Sequence, residues 1–154
     1  MFHVILLEPE IPPNTGNVIR MCANTGATLH LVHPLGFSID AAQVRRAGLD
    51  YHDMARVREH PDLESCLQSL GDARVFAIET TGTRRFADER FVPGDAFLFG
   101  RETTGLPPAA LARFPAGRVL RIPMIRGNRS VNLSNSAAIV VFEAWRQQGF
   151  AGAD

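Results

Sequence analysis

Segments of strand character alternate with segments of helical character along this chain, and that alternation leaves few folds open. "FHVILL", "TLHLVH", "MARVRE", "RVFAIE", "AFLFG" and "RVLRIP" are predicted strands. Predicted helices lie between and after them: "NVIRMCANTG" closed by Gly26, "DAAQVRRAG" opened by Asp40, "DLESCLQSL" capped by Asp62, and the apolar run through Trp145. Asp ahead of a helix accepts from its first free amides, and Gly behind one adopts the left-handed cap. Strands joined through helices run parallel, and a parallel sheet needs cover on both faces. The expected class is therefore α/β, a parallel sheet flanked by helices.

With 154 residues and 45% apolar side chains, the chain suits one domain, 1–154, without repeats or linkers. That length buries about 70% of the surface the unfolded chain exposes. No apolar stretch approaches the ~20 residues of a membrane span. The start, "MFHVILLEPEIPP", lacks the basic region of a signal peptide, so a cytoplasmic location is expected. Cys22 and Cys66 form no CxxC pair, which points to neither a metal knuckle nor a disulfide framework. His30 and His33, three apart in one strand, face opposite sides. His3, His52 and His60 are scattered in sequence, so no metal is expected.

Net charge is zero, yet the charges are segregated. No acid falls between Glu102 and Glu143, where Arg113, Arg118, Arg121, Arg126 and Arg129 lie. This favours an anionic partner on that part of the surface. Lysine is absent altogether, which excludes a Walker-type phosphate lysine, a Schiff-base lysine and a lysine general base.

The unusual polar residues follow the strands. "EPEIPPNTGN", "TTGT", "GRETTGLP" and "PMIRGNRSVN" come after the first, fourth, fifth and sixth predicted strands, at the carboxyl edge of the sheet. In open α/β sheets ligands bind along that edge. No GxGxxG follows the first strand and no GxSxG elbow occurs, which disfavours a Rossmann cofactor site and a hydrolase. "RGNRSVNLSNS" directly precedes the last helix. Ser134 or Asn135 suffices to cap it, with Asn132 able to share that work, so further polar groups are left over for a ligand.

"NTGNVIR" (Asn14 to Arg20), "LFGRETTGLP" (Leu98 to Pro107) and "IPMIRGNRSVNLSNS" (Ile122 to Ser136) resemble the three motifs of the SPOUT superfamily of RNA methyltransferases. "EPEIPPNTGNVIRMCANTG", "RRAGLDYH" and "NLSN…EAWRQ" are similar to its TrmL (YibK-like) group, so the resemblance spans nearly the whole chain. The resemblance implies a C-terminal deep trefoil knot holding S-adenosylmethionine. It also implies methylation of the ribose 2′-hydroxyl of the wobble nucleotide, cytidine or uridine, in leucine tRNAs, with S-adenosylhomocysteine as product. By motif position, Ile78, Gly100, Ile122 and Ser130 would line the cofactor pocket. Gly100 would let backbone approach the ligand, and the isoleucines are equally plain strand core. Asn14, Arg20, Ser130 and Asn132 would serve catalysis, with Arg20 stabilising the developing alkoxide rather than taking its proton, because guanidinium stays protonated. Arg126 and Arg129 would face RNA phosphate, or else decorate a solvated loop.

The same resemblance implies a homodimer built on the helix after "NTGN" and the last helix, which brings Arg20 of one chain toward the cofactor of the other. Val18, Ile19, Met21, Cys22, Phe142 and Trp145 are then either interface or core. Two alternatives stand beside this: a 2′-O-methyltransferase acting on another tRNA or rRNA nucleotide, and a noncatalytic RNA-binding protein on the same scaffold.

Overall fold

In the computed structural model, which describes residues 1–154, seven strands form one sheet in the order β3-β2-β1-β6-β4-β7-β5. The strands are β1 (His3–Leu7), β2 (Thr28–Val32), β3 (Val57–His60), β4 (Val75–Ile78), β5 (Arg84–Arg85), β6 (Ala96–Phe99) and β7 (Val119–Arg121). Every pairing between them is parallel. The helices are α1 (Pro12–Thr25), α2 (Ala41–Arg46), α3 (Tyr51–Met54), α4 (Leu63–Ser69), α5 (Pro108–Leu111) and α6 (Leu133–Gln147). No helix is long and apolar enough to cross a membrane.

Strand alternation divides the core in two. Val4, Leu6, Leu29, Leu31, Phe97 and Phe99 point to the face covered by α1 and α6, where Val18, Ile19, Cys22, Val140 and Val141 complete a buried cluster. Their neighbours Ile5, Leu7, Val32, Ala77, Ala96 and Leu98 point the other way, onto Cys66 of α4 and Ala110 of α5. The central strands β1, β4 and β6 are thus apolar on both sides, as a covered parallel sheet requires, while the edge strands β3 (VREH) and β5 (RR) are polar.

The structure moves several expected boundaries. α1 begins at Pro12, so Asn14, Thr15 and Gly16 belong to its first turns rather than to a loop. Prolines at the first two helical positions suit this start, because their fixed φ is helical and the amides there need no helical partner. Gly26 ends the helix at φ 74, as expected. β3 starts at Val57 and not within "MAR", because Tyr51–Met54 form α3, opened by a capping box between Asp50 and Asp53. Asp40 and Asp62 cap α2 and α4 as expected. The last helix is capped by neither Ser134 nor Asn135; the Asn132 side chain accepts from both their amides.

The histidines are not scattered in space. His3, His30 and His60 sit on adjacent strands and form a row, with His3 Nδ1 3.0 Å from His30 Nε2 and His30 Nδ1 2.8 Å from His60 Nε2. Burial, with the neighbouring positive charge of His3, His60 and Arg58 adding to it, lowers the His30 pKa to about 4; burial also lowers those of His3 and His60. A histidine that takes up protons less readily when folded contributes stability that is fully present above its unfolded pKa near 6.5. That contribution is lost as pH falls from there toward the folded value. Unfolding free energy should therefore drop between pH 6.5 and 4.5 more steeply in the wild type than in His30→Gln. Urea melts of both proteins across that window check this; parallel profiles would show that His30 carries none of the pH dependence.

Candidate active site

Four segments meet at the carboxyl edge of β4, β6 and β7 and enclose a cavity of about 490 Å³. Ile78 to Thr80 follow β4, Phe99 to Gly105 follow β6, Ile122 and Met124 follow β7, and Ser130 to Leu133 enter α6; Ile11 and Asn14 close it from α1. That volume lies within the roughly 300–1,000 Å³ range of small-molecule sites. Ile78, Gly100, Ile122, Ser130, Asn132 and Asn14 are thereby brought together, as expected from the sequence.

Carboxylates hold these loops in place. Glu102 accepts from the backbone amides of Glu10 (2.8 Å) and Ile11 (3.0 Å), satisfying the N-terminus of α1, whose own cap residue Ile11 has no suitable side chain. Glu10 returns the contact, accepting from the amide (3.2 Å) and hydroxyl (2.7 Å) of Thr103. Arg101 pairs with Glu8, so this arginine stabilises the crossing of two loops. Glu79 accepts from the amides of Thr80 and Leu106, each at 2.9 Å, and so joins the loop after β4 to the loop after β6. Sequence reasoning did not single out Glu79; its signal was only an acid at the end of an apolar strand.

Gly100 lines the cavity, and the loop itself also requires a glycine there. A Cβ built there would lie 2.2 Å from the backbone of Gly105 and Leu106. Its missing side chain allows the loop to fold back on itself, with Arg101 and Gly105 exchanging backbone hydrogen bonds of 3.2 and 2.9 Å. Gly105 turns that loop at φ 71 beneath Glu79, in the left-handed region that suits glycine.

Asn132 and Asn14 form the floor of the entrance. Asn132 Nδ2 donates to Asn14 Oδ1 at 3.0 Å, while its Oδ1 accepts from the Ser134 amide and hydroxyl and the Asn135 amide. Asn14 is buried and its amide nitrogen reaches Glu102 at 3.4 Å. Asn132 is thus committed to cap and neighbour, which makes it a positioning residue. Ser130 is exposed at the rim with no protein partner, free to contact a ligand.

Arg20 stands apart from the other expected catalytic residues. It does not line the cavity of its own chain; its side chain bonds the Gly48 carbonyl and lies 3.3 Å from the Asp53 carboxylate, beside α3. Its place on α1, past the first turns, aims it along the α2–α3 side. Arg126 and Arg129 are fully solvated in the loop before α6, together with Ile125 at 81% exposure, and neither forms an ion pair. Of the other arginines in the acid-free stretch, Arg113 pairs with Glu64 and Arg118 lies over the Phe76 ring.

Residues 1–142 match the model of the SpoU rRNA Methylase family. A protein of Burkholderia ambifaria named tRNA (cytidine(34)-2′-O)-methyltransferase is 60% identical over 154 residues, covering 99% of each chain. A structure described as giving insight into 2-OH methylation of C/U34 on tRNA superposes with a TM-score of 0.89 at 43% identity, covering 97% of both chains. An AdoMet-bound rRNA methyltransferase from Sinorhizobium meliloti gives a TM-score of 0.80 at 26% identity, covering 94% of this chain and 56% of that one.

Because Glu102 acts as a helix cap supplied from a distant loop, Glu102→Ala should destabilise the protein by about 0.5–2 kcal/mol, the usual cost of a lost N-cap. Equilibrium urea unfolding measures it. A variant as stable as the wild type would show that water replaces the carboxylate at no cost.

Proposed function

We propose, from the premise that this chain belongs to the SpoU methylase family, that it transfers a methyl group from S-adenosylmethionine to the ribose 2′-hydroxyl of nucleotide 34, the wobble position, of tRNA. The observation that carries the proposal is the convergence of the three motif-bearing loops on one cavity at the carboxyl edge of the sheet. Near full-length identity to a protein named for that reaction supports the choice of nucleotide. Leucine tRNAs and a cytoplasmic setting belong to the same reading.

The residues present fit the cofactor. Ile78, Ile122 and Leu133 offer apolar surface for a flat heterocycle, and the loop from Gly100 to Gly105 presents backbone beside it. Ser130 at the rim supplies a hydroxyl for a polar end. S-adenosylmethionine supplies a methyl already activated by its sulfonium, so the transfer itself calls for no metal. A deep trefoil knot formed by the C-terminal segment is part of this proposal. It is supported by the likeness of the whole fold to methyltransferase structures.

A ribose hydroxyl is a weak nucleophile, so the site must stabilise negative charge as its proton leaves. Asp53 beside Arg20 orients a guanidinium, a group that suits an electrostatic role and not that of a base. Arg20 lies outside its own chain's cavity, so we assign it to the cavity of a second copy in a homodimer. Ile139 and Phe142 on α6, 39% and 44% exposed, give that dimer an apolar surface; Val18, Ile19 and Cys22 are spent inside the subunit. Arg126 and Arg129 would meet phosphates of the anticodon arm, while Asn14 and Asn132 position the entrance.

Mass spectrometry of tRNA nucleosides from cells with and without this gene tests the substrate. The 2′-O-methyl at nucleotide 34 should vanish in its absence; its persistence there, with loss elsewhere, would reassign the target.

The shared site has its own test. Arg20→Ala should leave cofactor affinity nearly unchanged while single-turnover methyl transfer falls by roughly 100-fold. Refolding Arg20→Ala together with Gly100→Val, whose Cβ displaces the cavity loop, should restore activity by leaving one intact site per mixed dimer. Mixed dimers that stay inactive would place Arg20 and the cavity in the same chain.

A further inference from the structure

On the face of the sheet that turns away from α1 and α6, His30 of β2, His60 of β3 and Cys66 of α4 each present a donor atom, and the three lie within 4.8 Å of one another. None of them lines the cavity described above. We propose that this cluster is a metal site for a zinc-class ion, held by His30 Nδ1, His60 Nε2 and Cys66 Sγ, which ties the edge strand β3 and helix α4 to the sheet.

The donor set is the one such ions select: a thiolate with imidazoles suits zinc, whereas hard cations take oxygen. The geometry needs little adjustment. His30 Nδ1 and His60 Nε2 are 2.8 Å apart, and the edge of a zinc tetrahedron with bonds of about 2.0–2.1 Å is roughly 3.3 Å. His60 is half-buried at the sheet edge and has room to turn, while His30 and Cys66 are buried. The outer arrangement is also in place. A metal-bound histidine donates its other ring N–H to an acceptor that fixes its tautomer. His30 Nε2 stands 3.0 Å from His3 Nδ1, in position to do so.

The proton balance is simple. Binding breaks the Cys66 S–H bond and releases that proton to solvent, as metal–sulfur and two metal–nitrogen bonds form. His60 carries its remaining hydrogen on Nδ1, which has no protein partner. Cys66 is buried among apolar side chains, so a thiolate there calls for a cation beside it. Arg58, opposite His30 in the strand register, is the one nearby fixed cation, and its guanidinium is engaged with the Ala55 and Val57 carbonyls.

Titration of the reduced, chelator-treated protein with Co²⁺ tests the site, with Zn²⁺ as competitor. The wild type should bind one equivalent with a thiolate-to-metal charge-transfer band and tetrahedral visible bands, and Zn²⁺ should displace it. Cys66→Ser should lose the charge-transfer band, and Cys22→Ser should keep it. His60→Ala, at a half-exposed edge position and checked for folding by circular dichroism, should weaken binding at least tenfold. His3→Ala should weaken it about 10- to 100-fold, as loss of an outer partner does. Absence of the band in the wild type, its survival in Cys66→Ser, or equal affinity in His60→Ala would each overturn the proposal.

Discussion

Two glutamates exchanged between loops hold the working edge of this protein together. Glu102, on the loop after β6, accepts the amides that open α1, and Glu10, on the loop before α1, accepts from Thr103 in return. The reciprocity matters physically. A helix start leaves free N–H groups that need an acceptor, and a carboxylate also meets the positive end of the helix dipole. Here the acceptor comes from 91 residues away, so satisfying the helix also fixes the position of a loop.

From that clamp a polar path runs to the last helix. Asn14 reaches Glu102 on one side and accepts from Asn132 on the other, and Asn132 caps α6. Glu79 does the same work at the far wall, binding Leu106 and Thr80. Four loops of different origin are thereby located relative to one another by hydrogen bonds to charged or amide groups, which are directional. The apolar core beneath supplies stability, but side-chain burial does not by itself specify loop geometry.

The charges divide by task. Arg74 bonds the buried Asp95 at 2.6 Å and Arg101 pairs with Glu8, so these serve the fold. Arg126 and Arg129 form no ion pair and stand exposed in the loop before α6, available to an anion. Arg20 is held by Asp53 and the Gly48 carbonyl, outside the lining of its own chain's cavity.

Much was legible without coordinates. Strand and helix periodicity implied a covered parallel sheet, because side-chain alternation follows from local backbone geometry. Gly26, Asp40 and Asp62 marked helix ends, since capping is a short-range matter. The polar loops after the strands pointed to the carboxyl edge, where the cavity lies. Other features depended on contacts between distant residues. That Gly100 makes room for Gly105 and Leu106, that Asn132 rather than Ser134 or Asn135 caps α6, and that Glu102 caps α1 could not be seen in linear order. Three histidines separated by 27 and 30 residues looked unrelated until parallel register set them side by side. Periodicity and capping are local, so sequence alone determined them; hydrogen-bond partners and donor clusters depend on strand order and loop crossing, which only the tertiary structure decided.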